Sequence, residues 1–245
     1  MKIFLAGATG VIGRRLAVLA QRDHHEVTAT TRSPAKVEML RALRTTPVVI
    51  DVFDADALTK AVVAAGPDIV IHQLTDLPSA PGTPGYQAAQ AANQRLRIEG
   101  TRNLMQAARQ AGVRRAVAQS IAFVYAPAAG VRVESDPLDL AAEGVRRQTV
   151  EGIVALERAV LNTSGIDGVV LRYGYLYGPD TWYERPPKPP SVHVDAAAQA
   201  ALLAITKGAG SYNIAEDDGA VSSEKARREL DFDAGFRMAS EPHRS

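Results

Sequence analysis

The chain has no cysteine among its 245 residues. That excludes disulfides, thiolate zinc ligands and thiol nucleophiles, and it suits a reducing cytoplasm. An excess of either charge is also lacking: 28 Lys+Arg against 27 Asp+Glu leave a formal +1, so no electrostatic footprint points to nucleic acid or an anionic membrane. There is no long apolar run, and the N-terminus enters a strand after one lysine. Neither a signal peptide nor a membrane span is therefore expected. The five histidines, His24, His25, His72, His193 and His243, lack metal-ligand spacing, which excludes a zinc alcohol dehydrogenase. His72 and His193 fall in strand-like motifs, where a packed, hydrogen-bonded ring is the expectation.

What is present is ordinary for a globular enzyme: 46% apolar and 22% charged residues, enough to bury a sizeable core. Lys2 to Ala6 reads as a buried parallel strand running into a glycine turn. Leu16, Leu19 and Ala20 then recur at helical spacing. Further strands are expected at Glu26–Thr31, Pro47–Asp51, Ile69–His72, Ala116–Ser120 and Gly168–Arg172. Helices are expected between them, over 35–43, up to Ala65 after an Asp54 cap, over 86–111 with Gly112 ending it, and over 142–162. Residues 76–85 form a breaker-rich loop. Past the sixth strand, 185–190 run extended, Asp195 caps a helix over 196–206, Ser222-Ser223 opens a last one to Leu230, and a tail follows. No internal repeat is seen. The alternation implies an α/β fold, a Rossmann-type doubly wound parallel sheet with a reduced C-terminal substrate lobe. The expected organisation is one NAD(P)-binding domain over 1–245, with small substrate-binding elements at about 173–235.

The first turn carries chemistry. In Gly7-Ala8-Thr9-Gly10-Val11-Ile12-Gly13 three glycines fall three apart between a strand and a helix. The first permits a tight turn, the second admits a pyrophosphate to the backbone, and the third lets helix and strand pack closely. Gly7, Thr9, Gly10, Val11 and Ile12 are thus expected to bind a dinucleotide at a helix N-terminus. After the second strand stands Thr31-Arg32-Ser33, with no carboxylate for a ribose 2′-hydroxyl. Arg32 offers a fork of donors to a 2′-phosphate, so NADP(H) is the expected cofactor.

Several segments together resemble the extended or atypical short-chain dehydrogenase/reductases of the NAD-dependent epimerase/dehydratase group. They are Gly7–Gly13, Val49-Ile50-Asp51-Val52, Asp68–His72, Glu99-Gly100-Thr101-Arg102-Asn103-Leu104, Leu171-Arg172 with Tyr177-Gly178-Pro179, and Val192-His193-Val194-Asp195. The resemblance implies that Asp51 accepts from the adenine amino group and Val52 lines the base. It sets Gln73, Leu74 and Thr75 toward the ribose or nicotinamide, and Tyr173 and Tyr175 beside the nicotinamide.

The catalytic part departs from that family. Its members carry Tyr-x-x-x-Lys on the helix before the sixth strand, where the lysine and cofactor charge make the tyrosine an effective acid. This chain has no such pair; Thr149 and Ile153 stand in its place, and Ile121 stands where a hydroxyl is usual. Ser120 and Thr149 are the hydroxyls left as candidate catalytic residues, and threonine alone is too weak an acid to replace an activated tyrosine. The segments that build a nucleotide-sugar site are shortened too, which argues against sugar epimerase or dehydratase chemistry. Loss of the pair is similar to that in atypical ketoreductases acting on aromatic polyketides. The expectation is an NADPH-dependent ketoreductase of a bulky aromatic small molecule, protonated by water or by the substrate itself. Tyr125, Trp182 and Tyr183 could line its pocket or simply pack. The alternative is a non-catalytic NADP(H)-sensing protein. A homodimer pairing the helices at 86–111 and 142–162 is expected by analogy alone.

Overall fold

The computed structural model describes residues 1–77, 83 and 85–239; most of the expected 76–85 loop and the end of the expected tail lie outside the described residues. Seven strands form one wholly parallel sheet: β1 (Lys2–Ala6), β2 (Glu26–Thr31), β3 (Thr46–Val49), β4 (Ile69–His72), β5 (Arg115–Ile121), β6 (Asp167–Tyr173) and β9 (Gly210–Ile214). Their order is β3-β2-β1-β4-β5-β6-β9, each pair parallel. Strand alternation decides which face each residue feeds. Ile3, Leu5, Ile71, Val117 and Leu171 pack toward α1 (Val11–Arg22), α7 (Val194–Leu203) and α8 (Glu224–Leu230). Phe4, Ala6, Val70, Ala116 and Val170 pack toward α3 (Ala55–Ala65), α5 (Thr101–Gln110) and α6 (Gly144–Leu161). Both faces are covered, as a parallel sheet requires.

Asp54 caps α3 by accepting from Ala57 N at 3.0 Å. Gly112, at φ +73°, ends the long helical stretch, as expected. That stretch is not uniform: α4 (Tyr86–Arg95) passes through a π-helical turn, Leu96–Gly100, into α5. The stretch at 35–43 divides into a 3₁₀ turn (Pro34–Lys36) and α2 (Val37–Ala42).

Two expectations are corrected. The third strand ends at Val49 rather than Asp51, because Asp51 turns the chain by accepting from Phe53 N at 2.9 Å. The helix expected at 196–206 begins at Val194, capped by His193, whose Nδ1 accepts from Asp195 N at 3.2 Å. The Asp195 carboxylate instead takes Arg15 Nε at 2.8 Å. A short parallel pair, β7 (Tyr175–Tyr177) and β8 (Ser191–His193), flanks the 185–190 stretch, which is neither helix nor strand. Arg15 also donates to Pro179 O at 2.8 Å, so the Tyr-Gly-Pro and His-Val-Asp segments are both fastened to α1. Gly178, at φ +107°, lies so near His193 that a Cβ would stand 2.5 Å from its Nε2.

Candidate active site

The strand order reverses between β1 and β4, and a crevice opens there at the C-terminal edge of the sheet. It is lined by Gly7, Thr9 and Gly10 after β1, by Thr31, Arg32, Ser33 and Lys36 after β2, by Ile50 and Val52, and by Gln73, Leu74 and Thr75 after β4. Most of the expected cofactor residues therefore meet in one cleft, although they come from four separate stretches of chain.

The three glycines do different work. Gly7 takes φ +89°, and a Cβ on it would stand 2.4 Å from Gln73 O. A Cβ on Gly13 would stand 2.2 Å from Gly7 O, so close helix-to-turn packing demands its absence. Gly10 is the exception: a Cβ there would meet nothing nearer than Gly7 O at 3.4 Å. Contacts within the protein do not require Gly10 to be bare. Gly10 is also the uncapped N-terminus of α1, which carries no acidic residue in its first turn. The first N–H groups of α1 thus point at the cleft without an acceptor, where an anion is favoured. Ile12 turns its side chain into the core and Val11 packs against it, so these two can contribute only backbone N–H groups.

Val52 lines the cleft, and its carbonyl accepts from Asn103 Nδ2 at 3.1 Å. Asp51 sits just outside with one oxygen held by Phe53 N. Arg32 reaches across the mouth to Asp76, 3.1 Å from its Oδ1. Lys36, which the sequence reading passed over, adds a second cation on the same side. Gln73 is buried and donates through Nε2 to Tyr173 OH at 3.3 Å, while its buried Oε1 has no partner. An orphaned acceptor at the cleft floor suits a ligand donor. Burial holds the Tyr173 hydroxyl above its ordinary range despite the Gln73 contact, so Tyr173 is a neutral wall and no acid. Tyr175 stacks on Phe123, ring centroids 4.2 Å apart and planes within 5°, with Lys188 Nζ 4.8 Å over the ring. The two aromatics follow β6 and β5, and their stack stands at the same sheet edge.

The candidate catalytic hydroxyls are not brought together. Ser120 is 3% exposed and donates to Glu157 Oε1 at 2.7 Å. Glu157 in turn holds Arg172 by two bonds of 2.9 and 2.7 Å. Burial works against the Arg172 charge, but those bonds and the attraction of Glu157 hold its pKa above the ordinary value. Tyr125 belongs to the same buried network, accepting from Arg172 and donating to Asn213 Oδ1 at 2.6 Å. Trp182 is exposed. Thr149 donates back to Val145 O at 3.2 Å on its own helix. Where a relay lysine would stand, Ile153 is buried with Val124 and Val150, and Ile121 packs against them. His72 and His193 are packed and hydrogen-bonded, as expected.

A model described as NAD(P)H-binding matches residues 7–201. The chain belongs to the NAD(P)H-binding family. A 3-diazoavenalumate denitrifying reductase from Streptomyces sp is 38% identical over 246 aligned positions, covering 91% of this chain and 79% of that protein. Among solved structures, the UDP-glucose 4-epimerase of Thermotoga maritima with UDP-glucose superposes with a TM-score of 0.74 at 17% identity, covering 95% of this chain and 93% of that one. The UDP-glucuronic acid 4-epimerase of Bacillus cereus with NAD gives 0.72 at 18%, covering 97% and 93%. These establish the Rossmann-type fold. The family match and the reductase relative make this chain an NAD(P)H-dependent oxidoreductase, which displaces the reading of a protein that binds the nucleotide without chemistry. No described helix is long and apolar enough to cross a membrane.

Proposed function

We propose that the chain is an NADPH-dependent reductase of a planar aromatic small molecule whose reduction draws no proton from the protein, and that the reduced group is an aryl diazo group. The observation that carries this reading is the apolar cluster of Ile121, Val124, Val150 and Ile153 in place of a proton relay. Ketone reduction leaves an alkoxide that must be protonated. Displacement of nitrogen from an arenediazonium needs no such proton: a C–H bond forms with the hydride pair, the C–N bond breaks, and its electron pair leaves on N₂. A bound dihydronicotinamide supplies that hydride and is oxidised by the same two electrons. The relative's name, a denitrifying reductase of a diazo compound, supports the same class.

The chain's own residues then position and exclude water. The α1 N-terminus and Gly10 take the pyrophosphate, Arg32 and Lys36 the 2′-phosphate, and Val52 with Asp51 the adenine. Gln73, Leu74, Thr75 and Tyr173 floor the nicotinamide side. Phe123, stacked on Tyr175, stands on the substrate side. Residues of about 173–235 complete the substrate side. A second reading is the reduction of an aromatic ketone hydrogen-bonded to its own neighbouring hydroxyl, for which the missing relay speaks equally.

The test is to supply NADPH carrying deuterium at the transferable position with 4-carboxybenzenediazonium, and separately with 1-hydroxyanthraquinone. Release of N₂ with deuterium on the ring carbon supports the diazo reading. Turnover confined to the quinone replaces it with the ketone reading, and turnover of neither overturns both.

A further inference from the structure

Arg97 stands in the π-helical turn Leu96–Gly100 and is 7% exposed. Every other well-buried arginine here is satisfied. Arg172 holds Glu157, Arg15 holds Asp195, and Arg115 caps the carbonyls of Ala204 and Gly208. Among the described residues Arg97 makes no side-chain hydrogen bond and pairs with no carboxylate; the Tyr86 hydroxyl is the one group recorded as favouring its charge. Burial pushes its pKa down to about 10, and it remains a cation at neutral pH. A buried charge without a counter-charge is costly.

Its place in the fold is informative. Thr101 touches His72, the last residue of β4, at 2.9 Å. The helix runs antiparallel to the strand, so Arg97, four residues earlier, stands about 6 Å beyond the sheet edge. On the facing helix Glu157 touches Ser120 near the end of β5. Gly152, five residues earlier, stands about 7 Å beyond that edge. The two positions meet: a Cβ on Gly152 would be 3.3 Å from Arg97 Cδ. The glycine therefore makes room for the arginine stem at the edge where open α/β sheets bind ligands.

We propose that Arg97 is an anion-binding residue of the substrate site and that the substrate of this chain is a carboxylate. A guanidinium fork matches a carboxylate with two parallel bonds, and the missing counter-charge would arrive with the substrate. The inference rests on the small-molecule reductase reading, but it can be tested without turnover.

The test is calorimetric titration of the NADP⁺-loaded protein with cinnamate and with its neutral isostere cinnamamide. The acid is expected to bind about ten-fold or more tighter. In Arg97→Gln that preference is expected to fall to within about two-fold with NADP⁺ affinity unchanged, and in Arg97→Lys to persist in part. Equal binding of acid and amide to the native chain, binding of neither, or full preference retained in Arg97→Gln overturns the proposal. If Arg97→Gln fails to fold, the acid-to-amide ratio in the native chain and in Arg97→Lys decides. Acid preference without turnover of any diazo compound or ketone would leave the anion site standing and remove the reductase substrate reading; diazo turnover indifferent to Arg97→Gln would do the reverse.

Discussion

The Ser120 hydroxyl donates to Glu157 Oε1 at 2.7 Å, both side chains buried, and Glu157 is already paired twice to Arg172. A hydroxyl whose proton is committed to a carboxylate in a closed ion pair is a structural donor. Ser120→Ala is expected to cost about 1–3 kcal/mol, the range for a lost bond to a charged group, and to leave kcat within about two-fold. Urea unfolding and single-turnover oxidation of NADPH check the two halves. A hundred-fold loss of kcat at unchanged stability would make Ser120 the proton donor instead.

Arg32 lies at the end of β2 with Lys36 nearby and Asp76 across the cleft mouth. Because half of its side chain faces solvent, one phosphate contact there is screened. Arg32→Ala is expected to weaken NADPH about ten-fold and NADH by less than about two-fold. Titration of both by cofactor fluorescence reads this directly, and equal losses would remove the NADP assignment. Asp76→Ala should act in the opposite direction on NADPH by freeing the guanidinium.

The phosphate loop was legible because its glycines answer local demands: a positive φ at Gly7, a close contact at Gly13, and an open backbone at Gly10. Parallel strands announced themselves as apolar runs. Long-range partnerships did not. Nothing in the local pattern around Asp195 tells that Arg15, 180 residues away, takes its carboxylate and leaves capping to His193. The π-helical turn is silent in a 3.6-residue pattern, which hid Arg97 among ordinary helix-surface arginines. The stack of Phe123 on Tyr175 joins the segment after β5 to β7, which only the sheet order brings together. The missing relay was readable from Thr149 and Ile153, but its replacement by a packed apolar cluster required the fold.

Gly10 and Gly13 separate binding from folding. An alanine at position 10 finds room in the protein, whereas one at position 13 strikes backbone atoms at 2.2 and 2.7 Å. Gly10→Ala is therefore expected to keep native stability within about 1 kcal/mol and to weaken the dinucleotide about ten-fold or more. Gly13→Ala is expected to destabilise by about 2 kcal/mol or more. Thermal melts with and without NADPH distinguish them: the first variant loses the ligand-induced rise in Tm, the second loses the starting Tm.

His72 sets a pH limit on the fold. Its Nδ1 accepts from Leu74 N at 3.2 Å, so Nε2 carries the proton and donates to Thr101 Oγ1 at 2.9 Å. The ring is thus neutral in the native state. Burial, with a smaller push from Arg97, lowers its pKa from 6.5 to about 4. The unfolded chain takes up a proton at this site near pH 6.5 while the folded chain does not until about pH 4. The stability due to the neutral ring is therefore complete above pH 6.5 and is lost as pH falls toward 4, by about 3 kcal/mol in all. Urea midpoints measured from pH 7.5 to 4.5 should fall in step, and His72→Gln should flatten that slope while losing stability at pH 7.5. A native chain whose midpoint stays level to pH 4.5 would mean that His72 takes up its proton as readily in the folded chain as in the unfolded one, and the depressed pKa assigned to it would be wrong.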